Sequence, residues 1–175
     1  MNRNNQEKNQ YVRSQILKTL LEMMKEQPFD SIVISTLVKR AEVGRASFYR
    51  NYTDLPDVLK QESDRLTSIW SKQYDSQPHE APNEILITLL DFYKEHSDFF
   101  LALYDAGLHQ IVMDTIVNRA SITPETPNAI AYLQSSVAYM IYGWVHEWIK
   151  RGMQESGTEL AAMIAAAQQN NTIPK

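Results

Sequence analysis

The fold is decided by one short stretch, residues 41–59, which is AEVGRASFYRNYTDLPDVL. Residues 42–44 interrupt a helical pattern, and a second short helix is predicted from Arg45 to about Asn51. Two short helices joined by a tight turn are typical of a helix-turn-helix.

The same stretch contains the start of a longer helix. Asp54 followed three residues later by Asp57 resembles a capping box, and Pro56 is tolerated in the first turn of a helix. We therefore predict a helix over residues 55 to about 74 that links the two parts of the chain. The polar segment 76–82 is predicted to be a surface connection.

Upstream, apolar residues recur at helical spacing at Ile16, Leu17, Leu20, Leu21 and Met24. They predict an amphipathic helix over residues 11–26, which Pro28 ends. A short helix to Ala41 follows, and Ser35 or Thr36 is predicted to cap its start.

Downstream, no alternating strand pattern occurs, and the pattern predicts helices over residues 83–96, 97–106, 108–120, 126–151 and 156–169. Ser97 and Ser156 are the predicted N-caps, the latter in a capping box with Glu159, and Gly152 suits a helix end. With the four helices above, the prediction is an all-α protein of about nine helices.

Composition excludes several classes of protein. The 175 residues include no cysteine, so neither a disulfide framework nor a thiolate metal site is possible. The longest apolar stretches, 85–90 and 137–145, are shorter than the roughly 20 residues of a membrane helix. The polar residues 1–10 do not resemble a secretory signal. We expect a soluble, cytoplasmic protein with no membrane partner.

No motif supports catalysis or a metal site. The sequence lacks a glycine-rich phosphate loop and a nucleophile motif. No two histidines share a helical spacing, so a metal site would have to be assembled by the tertiary structure from His79, His96, His109 and His146. We expect no enzyme, no metal and no cofactor.

Charge is distributed unevenly along the chain. Residues 1–53 contain nine Lys and Arg against five Asp and Glu, giving +4. Residues 54–175 contain eight against sixteen, giving −8, which agrees with the net charge of −4. A basic segment on an acidic remainder suggests that the N-terminal part meets a polyanion.

Residues 41–59 resemble the signature of the TetR family of bacterial transcriptional regulators. In that family a turn leads into a recognition helix ending in Thr-Phe-Tyr, followed by an aromatic residue and an acidic or amide cap. The matching positions here are Ser47-Phe48-Tyr49, Tyr52, Asp54 and Leu59. A looser likeness, in residues 142–152 and 159–161, is to a subgroup with a Tyr-x-x-Gly helix and a Trp near its end.

The resemblance implies a division of the chain and a function. Residues 1–53 would form a helix-turn-helix domain that binds double-stranded operator DNA, and residues 54–175 a helical domain for dimerisation and effector binding. The protein would be a repressor that binds a palindromic operator as a homodimer, with recognition helices about 34 Å apart. A small-molecule effector would release it.

The recognition helix offers the side chains that base reading requires. Arg45 can bind guanine O6 and N7, Ala46 can touch a thymine methyl, and Ser47 lies beside them, while Phe48 anchors the back of the helix.

Other residues are predicted to contact phosphates, namely Ser35, Thr36, Tyr49, Arg50 and Tyr52. Lys8 and Arg13 would add non-specific attraction to the duplex. Two of these residues have structural alternatives, because Tyr49 could pack against the linking helix and Arg50 could be a solvated surface charge.

Three residues depart from the family pattern. Val33 replaces a common Thr before the second helix, so capping is expected to shift to Ser35 or Thr36. Glu42 replaces a turn Gly, which makes a positive φ less comfortable. Leu55 replaces a Lys and removes one phosphate contact.

Two C-terminal helices are predicted to form a four-helix homodimer interface. The helix over 126–151 has Leu133, Val137, Met140, Ile141, Trp144 and Trp148 on one side, and the helix over 156–169 has Leu160, Met163, Ile164 and Ala167. Gly143 would allow close approach of the partner.

Two questions stay open at the level of sequence. The many aromatic residues from Trp70 onward are compatible with an effector pocket or, as the preferred alternative, a packed core. The alternative function is that of an interaction or sensor protein that keeps the fold without specific DNA binding and meets a protein partner through its acidic helices.

Overall fold

The computed structural model describes residues 3–81 and 83–169, and that part of the chain is all-helical. Its nine α-helices are α1 (Arg3–Glu26), α2 (Ile34–Arg40), α3 (Arg45–Asn51), α4 (Leu55–Asp75), α5 (Glu84–Glu95), α6 (Ser97–Asp105), α7 (His109–Arg119), α8 (Asn128–Lys150) and α9 (Gly157–Gln169). No strand occurs among the described residues. The all-α prediction with about nine helices is therefore confirmed.

The apolar pattern predicted that the first helix begins at Tyr11, but helix α1 begins at Arg3. Residues 6–10 are exposed, so this extension buries no apolar side and leaves no periodic signal in the sequence.

Helices α1 to α3 pack around a small core, and we call them the N-terminal unit. Leu20 of α1, Leu37 of α2 and Phe48 of α3 are fully buried, and Leu59 of α4 is buried against the same core. Burying each such side chain contributes about 1.5 to 3 kcal/mol. Because Phe48 points inward, the opposite side of α3 faces solvent.

The predicted capping box at Ser156 is confirmed in full, and Asp54 is confirmed as the cap of α4, although the return bond there goes to Thr53 rather than to Asp54. Asp54 Oδ1 accepts from the Asp57 amide at 2.8 Å, and Asp57 Oδ2 accepts from the Thr53 amide at 2.9 Å. Glu159 Oε2 accepts from the Ser156 amide at 2.8 Å, and Ser156 Oγ accepts from the Glu159 amide at 3.3 Å. The start of α4 is thus fixed by its own side chains.

Two predicted N-caps are wrong. Ser97 is the first residue of α6, because the single residue His96 separates α5 from α6 and takes the cap position without a side-chain bond. Helix α2 begins at Ile34, and its cap position is the extended Val33. Neither Ser35 nor Thr36 therefore caps α2, and both follow its first residue.

The turn between α2 and α3 forces a side chain into a strained backbone conformation. Glu42 has φ +55°, the left-handed region that favours glycine. We expect Glu42→Gly to raise the free energy of unfolding by about 0.5 to 1 kcal/mol, measured by denaturant titration, because the Cβ clash is removed. Glu42→Ala is the control: it removes the same carboxylate but keeps the Cβ, so an equal gain would contradict the backbone explanation.

Helices α4 to α9 form the remainder of the molecule, which we call the body. Helix α7 packs on α8 and α4, and α9 packs on α5. Gly157, the first residue of α9, lies so close to α5 that an added Cβ would overlap the Ile87 carbonyl oxygen, and its amide donates to Asp91 Oδ1 at 2.8 Å. Within the described ranges, no helix is long and apolar enough to cross a membrane.

Candidate DNA-binding site

The outer side of α3 presents a compact set of small, hydroxyl-bearing and cationic side chains to solvent. Arg45, Ala46, Tyr49 and Arg50 are exposed, and Ser47 is half-buried. The guanidinium carbon of Arg45 lies 5.6 Å from the centre of the Tyr49 ring one turn further on. This cation–π contact supports the arginine on the helix surface. The arrangement combines a small residue, a hydroxyl and two cations, which suits a helix that reads base edges.

The inner side of α3 anchors the helix. Phe48 is fully buried, and its ring centre lies 5.7 Å from that of Tyr52, which is itself only 5% exposed. The guanidinium carbon of Arg13 lies 5.6 Å from the centre of the Tyr52 ring. Burial also raises the pKa of the Tyr52 hydroxyl. Tyr52 thus packs behind α3, and this burial does not suit the phosphate contact expected from its position in the motif.

The start of α2 lies near the start of α3. Ser35 and Thr36 are exposed in the first turn of α2. The Thr36 amide already donates to the Val33 carbonyl, so it is the two hydroxyls and the positive end of the helix that favour an anion. Ser35, Arg45 and Pro56 line one open groove of about 480 Å³. The structure therefore brings the predicted phosphate-binding hydroxyl of Ser35 and the predicted base-reading arginine to one side of the N-terminal unit.

The two basic residues that were predicted to add non-specific attraction to the duplex differ in how exposed they are. Lys8 is exposed on α1. Arg13 is half-buried, and its Nη2 donates to Gln61 Oε1 at 3.0 Å, so it is engaged within the chain. Sequence reasoning missed Gln61, because an amide within an amphipathic helix carries no signature of the residues that it will meet.

The C-terminal part of the chain decides the family. A TetR family model described as "Transcriptional regulator C-terminal region" matches residues 80–170, more than half of the chain. The chain belongs to the TetR family of transcriptional regulators. Because the match covers the body only, the DNA-binding residues of this TetR-family regulator stay predictions, as does the Tyr-x-x-Gly subgroup.

The fold of this TetR-family regulator is also found in a solved structure. The crystal structure of Lin0861 from Listeria innocua is similar with a TM-score of 0.75 and 18% sequence identity, covering 93% of this chain and 91% of that one. At this identity the likeness shows the fold alone. None of the curated protein sequences matches this chain.

Helix α8 of the TetR-family regulator exposes large apolar side chains. Leu133 is 62% exposed, and Val137 and Met140 are also exposed. Ile141 and Trp148, which were predicted to lie on the same side, are instead buried in the core. The prediction that they share the exposed side was wrong. A helix turns by about 100° per residue, so position 148 lies about 60° around the helix axis from position 133 and faces the core.

The other predicted interface residues lie at intermediate positions. Trp144 of α8 is half-buried, as are Leu160 and Ile164 of α9, whereas Met163 and Ala167 of α9 are exposed. The exposed apolar surface of the TetR-family regulator therefore includes parts of both α8 and α9.

A polar cluster between α6, α7 and α8 joins three helices of the body; its histidine on α7 is exposed and its other members are half-buried. Its members are Tyr104, His109, Tyr142 and His146. The ring centre of His146 lies 5.3 Å from that of Tyr104 and 5.4 Å from that of His109, and the Tyr142 hydroxyl lies 3.2 Å from His146 Nδ1. Two histidines distant in sequence are thus brought together. Among the described residues, however, no group of three or more His, Cys, Asp and Glu side chains could hold a metal.

The buried hydroxyl of Tyr104 makes no hydrogen bond of good geometry, although the Tyr142 hydroxyl lies close enough to interact with it, and burial raises the pKa of Tyr104 strongly. Because an unsatisfied buried polar group is costly, we expect Tyr104→Phe to raise the free energy of unfolding by about 1 kcal/mol in thermal or denaturant unfolding. Tyr93→Phe is the matched control, since the fully buried Tyr93 hydroxyl lies 3.5 Å from Thr67 Oγ1 and its removal should not stabilise. Equal losses in both variants would show that the Tyr104 hydroxyl has a partner in solution.

Proposed function

We propose that this TetR-family regulator is a homodimeric repressor that binds a palindromic operator in the cytoplasm and is released by a small molecule. The observation that carries the proposal is α3, whose inner side is anchored by the fully buried Phe48 while Arg45, Ala46, Tyr49 and Arg50 remain exposed. A helix held in this way can enter a major groove without losing its packing.

The proposed contacts follow from the exposed side of α3. Arg45 reads a guanine, and Ala46 and Ser47 contact the neighbouring bases. Tyr49 and Arg50 bind phosphates.

The positive end of α2 extends this contact to the DNA backbone. Ser35 and Thr36 are exposed there, and their hydroxyls together with the helix dipole favour an anion. Their contacts would fix the register of the N-terminal unit, residues 1–53 in the proposed division, on the duplex.

The proposal of a homodimer rests on α8 and α9. A helix that is apolar on both its inner and outer sides is normally buried on both, and α8 buries Val145 while exposing Leu133 and Met140. A Cβ added at Gly143 would meet nothing within 4 Å in the chain, so no intrachain packing requires this mid-helix glycine. Close approach of a second copy would explain it.

The proposal of a small-molecule effector rests on the cluster around Tyr104. Its buried hydroxyl makes no well-formed hydrogen bond, and the imidazoles of His109 and His146 lie nearby in the same body. A ligand oxygen that bonded to this hydroxyl would give it the well-formed hydrogen bond that it lacks within the chain, where only the Tyr142 hydroxyl lies close to it.

DNA binding can be tested by gel shift with duplexes taken from the DNA that flanks the gene of this protein. We expect one of these duplexes to bind two copies of the chain and to migrate more slowly, even in the presence of excess unrelated DNA. Equal binding to flanking and unrelated duplexes would contradict a specific operator, and would favour a protein partner over DNA.

A further inference from the structure

One side chain of α4 connects three helices of the DNA-binding region. Gln61 is half-buried, and its Nε2 donates to the Asn51 carbonyl oxygen at 3.0 Å and to Asp57 Oδ2 at 3.1 Å. Its Oε1 accepts from Arg13 Nη2 at 3.0 Å. Both ends of the amide are therefore used, and they join α1, the end of α3 and the first turn of α4.

The Asn51 carbonyl, which accepts from Gln61, lies at the end of α3. Asn51 is the last residue of α3, and the final carbonyls of a helix lack helical partners. Its side-chain Nδ2 donates back to the Ser47 carbonyl at 2.9 Å. The end of α3 is therefore held to α4 through Gln61 as well as through the short connection between the two helices.

The surroundings of Gln61 limit its freedom. The Arg13 guanidinium that donates to it also lies against the ring of the buried Tyr52, and Asp57 Oδ2 also accepts from the Thr53 amide. Because the partners of Gln61 are themselves fixed, its hydrogen bonds can hold α3 at a defined angle. A binding site needs such support from surrounding residues to keep its contact residues in place.

We propose that Gln61 is a positioning residue that sets the angle of α3 against α1 and α4 and thereby determines how well the regulator discriminates its operator from other DNA. This inference rests on the proposed function. Gln61 itself contacts no base. It acts through the Asn51 carbonyl, and a helix held at a different angle would still attract phosphates but would place Arg45 and Ala46 differently.

The test compares Gln61→Met with the wild type and with Gln73→Met, a control at an exposed position of the same helix. Wild-type protein first selects an operator from random duplexes, and affinities for that operator and for a scrambled duplex are then measured below the melting transition. For Gln61→Met we expect the ratio of the two affinities to fall about tenfold, or about 1.4 kcal/mol, while Gln73→Met leaves it unchanged.

A second variant separates the two ends of the amide. Gln61→Glu keeps an acceptor for Arg13 but has no N–H for the Asn51 carbonyl or for Asp57, and it places a second carboxylate beside Asp57. We therefore expect it to lose discrimination at least as much as Gln61→Met does. Full discrimination in Gln61→Glu, or in folded Gln61→Met, would overturn the proposal. If the affinities for the operator and for the scrambled duplex fell by the same factor, the proposal would also be overturned, because a general loss of stability would produce that result.

A measurement without DNA keeps this inference separable from the proposed function. Hydrogen exchange of the amides in residues 45–54 should be faster in Gln61→Met than in the wild type, with α8 unchanged. If the wild type selects no sequence, the proposed function fails, and the exchange data still decide whether Gln61 fixes α3. Unchanged exchange in α3 would overturn that role.

Discussion

Arg45→Ala is expected to weaken operator binding by about 1 to 3 kcal/mol per half-site and to relax base preference at one operator position. The reason is the loss of a bidentate contact with guanine, made by a side chain that is exposed and supported by the Tyr49 ring. Titration of the dimer against the natural operator and against single-base variants would measure both effects.

Tyr49→Phe is the comparison for this prediction. The phenylalanine ring retains the cation–π contact with Arg45 and loses only the hydroxyl, so binding to all sequences should weaken alike, by about 1 kcal/mol. Because the lost phosphate contact is uncharged, the salt dependence should scarcely change. If Arg45→Ala left affinity and base preference intact in a folded dimer, the proposed docking of α3 would be wrong.

Leu133→Glu is expected to convert the homodimer into a monomer at micromolar concentration. Leu133 is largely exposed in the single chain, so the monomer should tolerate the substitution. In a two-fold symmetric interface the two substituted positions introduce two unpaired buried charges, and the dissociation constant should rise at least about a hundredfold, or about 2.7 kcal/mol. Sedimentation equilibrium would measure the change.

The matched control is Tyr11→Glu, which replaces another exposed large side chain with the same charge but lies on α1 in the N-terminal unit. It should leave the dimer intact. A wild-type protein that is already monomeric at micromolar concentration, or a Leu133→Glu variant that dimerises normally, would rule out α8 as the interface.

Local features of this fold could be predicted from the sequence because they depend on residues close along the chain. The Asp54 cap of α4 and the strain at Glu42 both follow from the chemistry of a single turn. The long helices likewise follow from the spacing of their apolar residues. The start of α1 was missed because residues 3–10 include no apolar residue that could mark a buried side.

Features that depend on tertiary packing could not be predicted in the same way. Tyr52 occupies the expected place in the motif, but only the structure shows that its ring turns inward between Phe48 and Arg13. Trp148 is apolar and correctly spaced for an interface, yet the rotation of α8 buries it. Nothing in the sequence indicates that His109 and His146 meet.

The close packing of Gly157 against α5 affects how strongly two copies of the chain associate. Since α9 is held there by direct backbone approach and by the bond from its amide to Asp91, the apolar side that includes Met163 is already ordered in the single chain. A surface that is ordered before association loses less conformational entropy when two copies meet. A glycine that is buried against α5, rather than exposed to the partner, would thereby contribute to the affinity of the dimer.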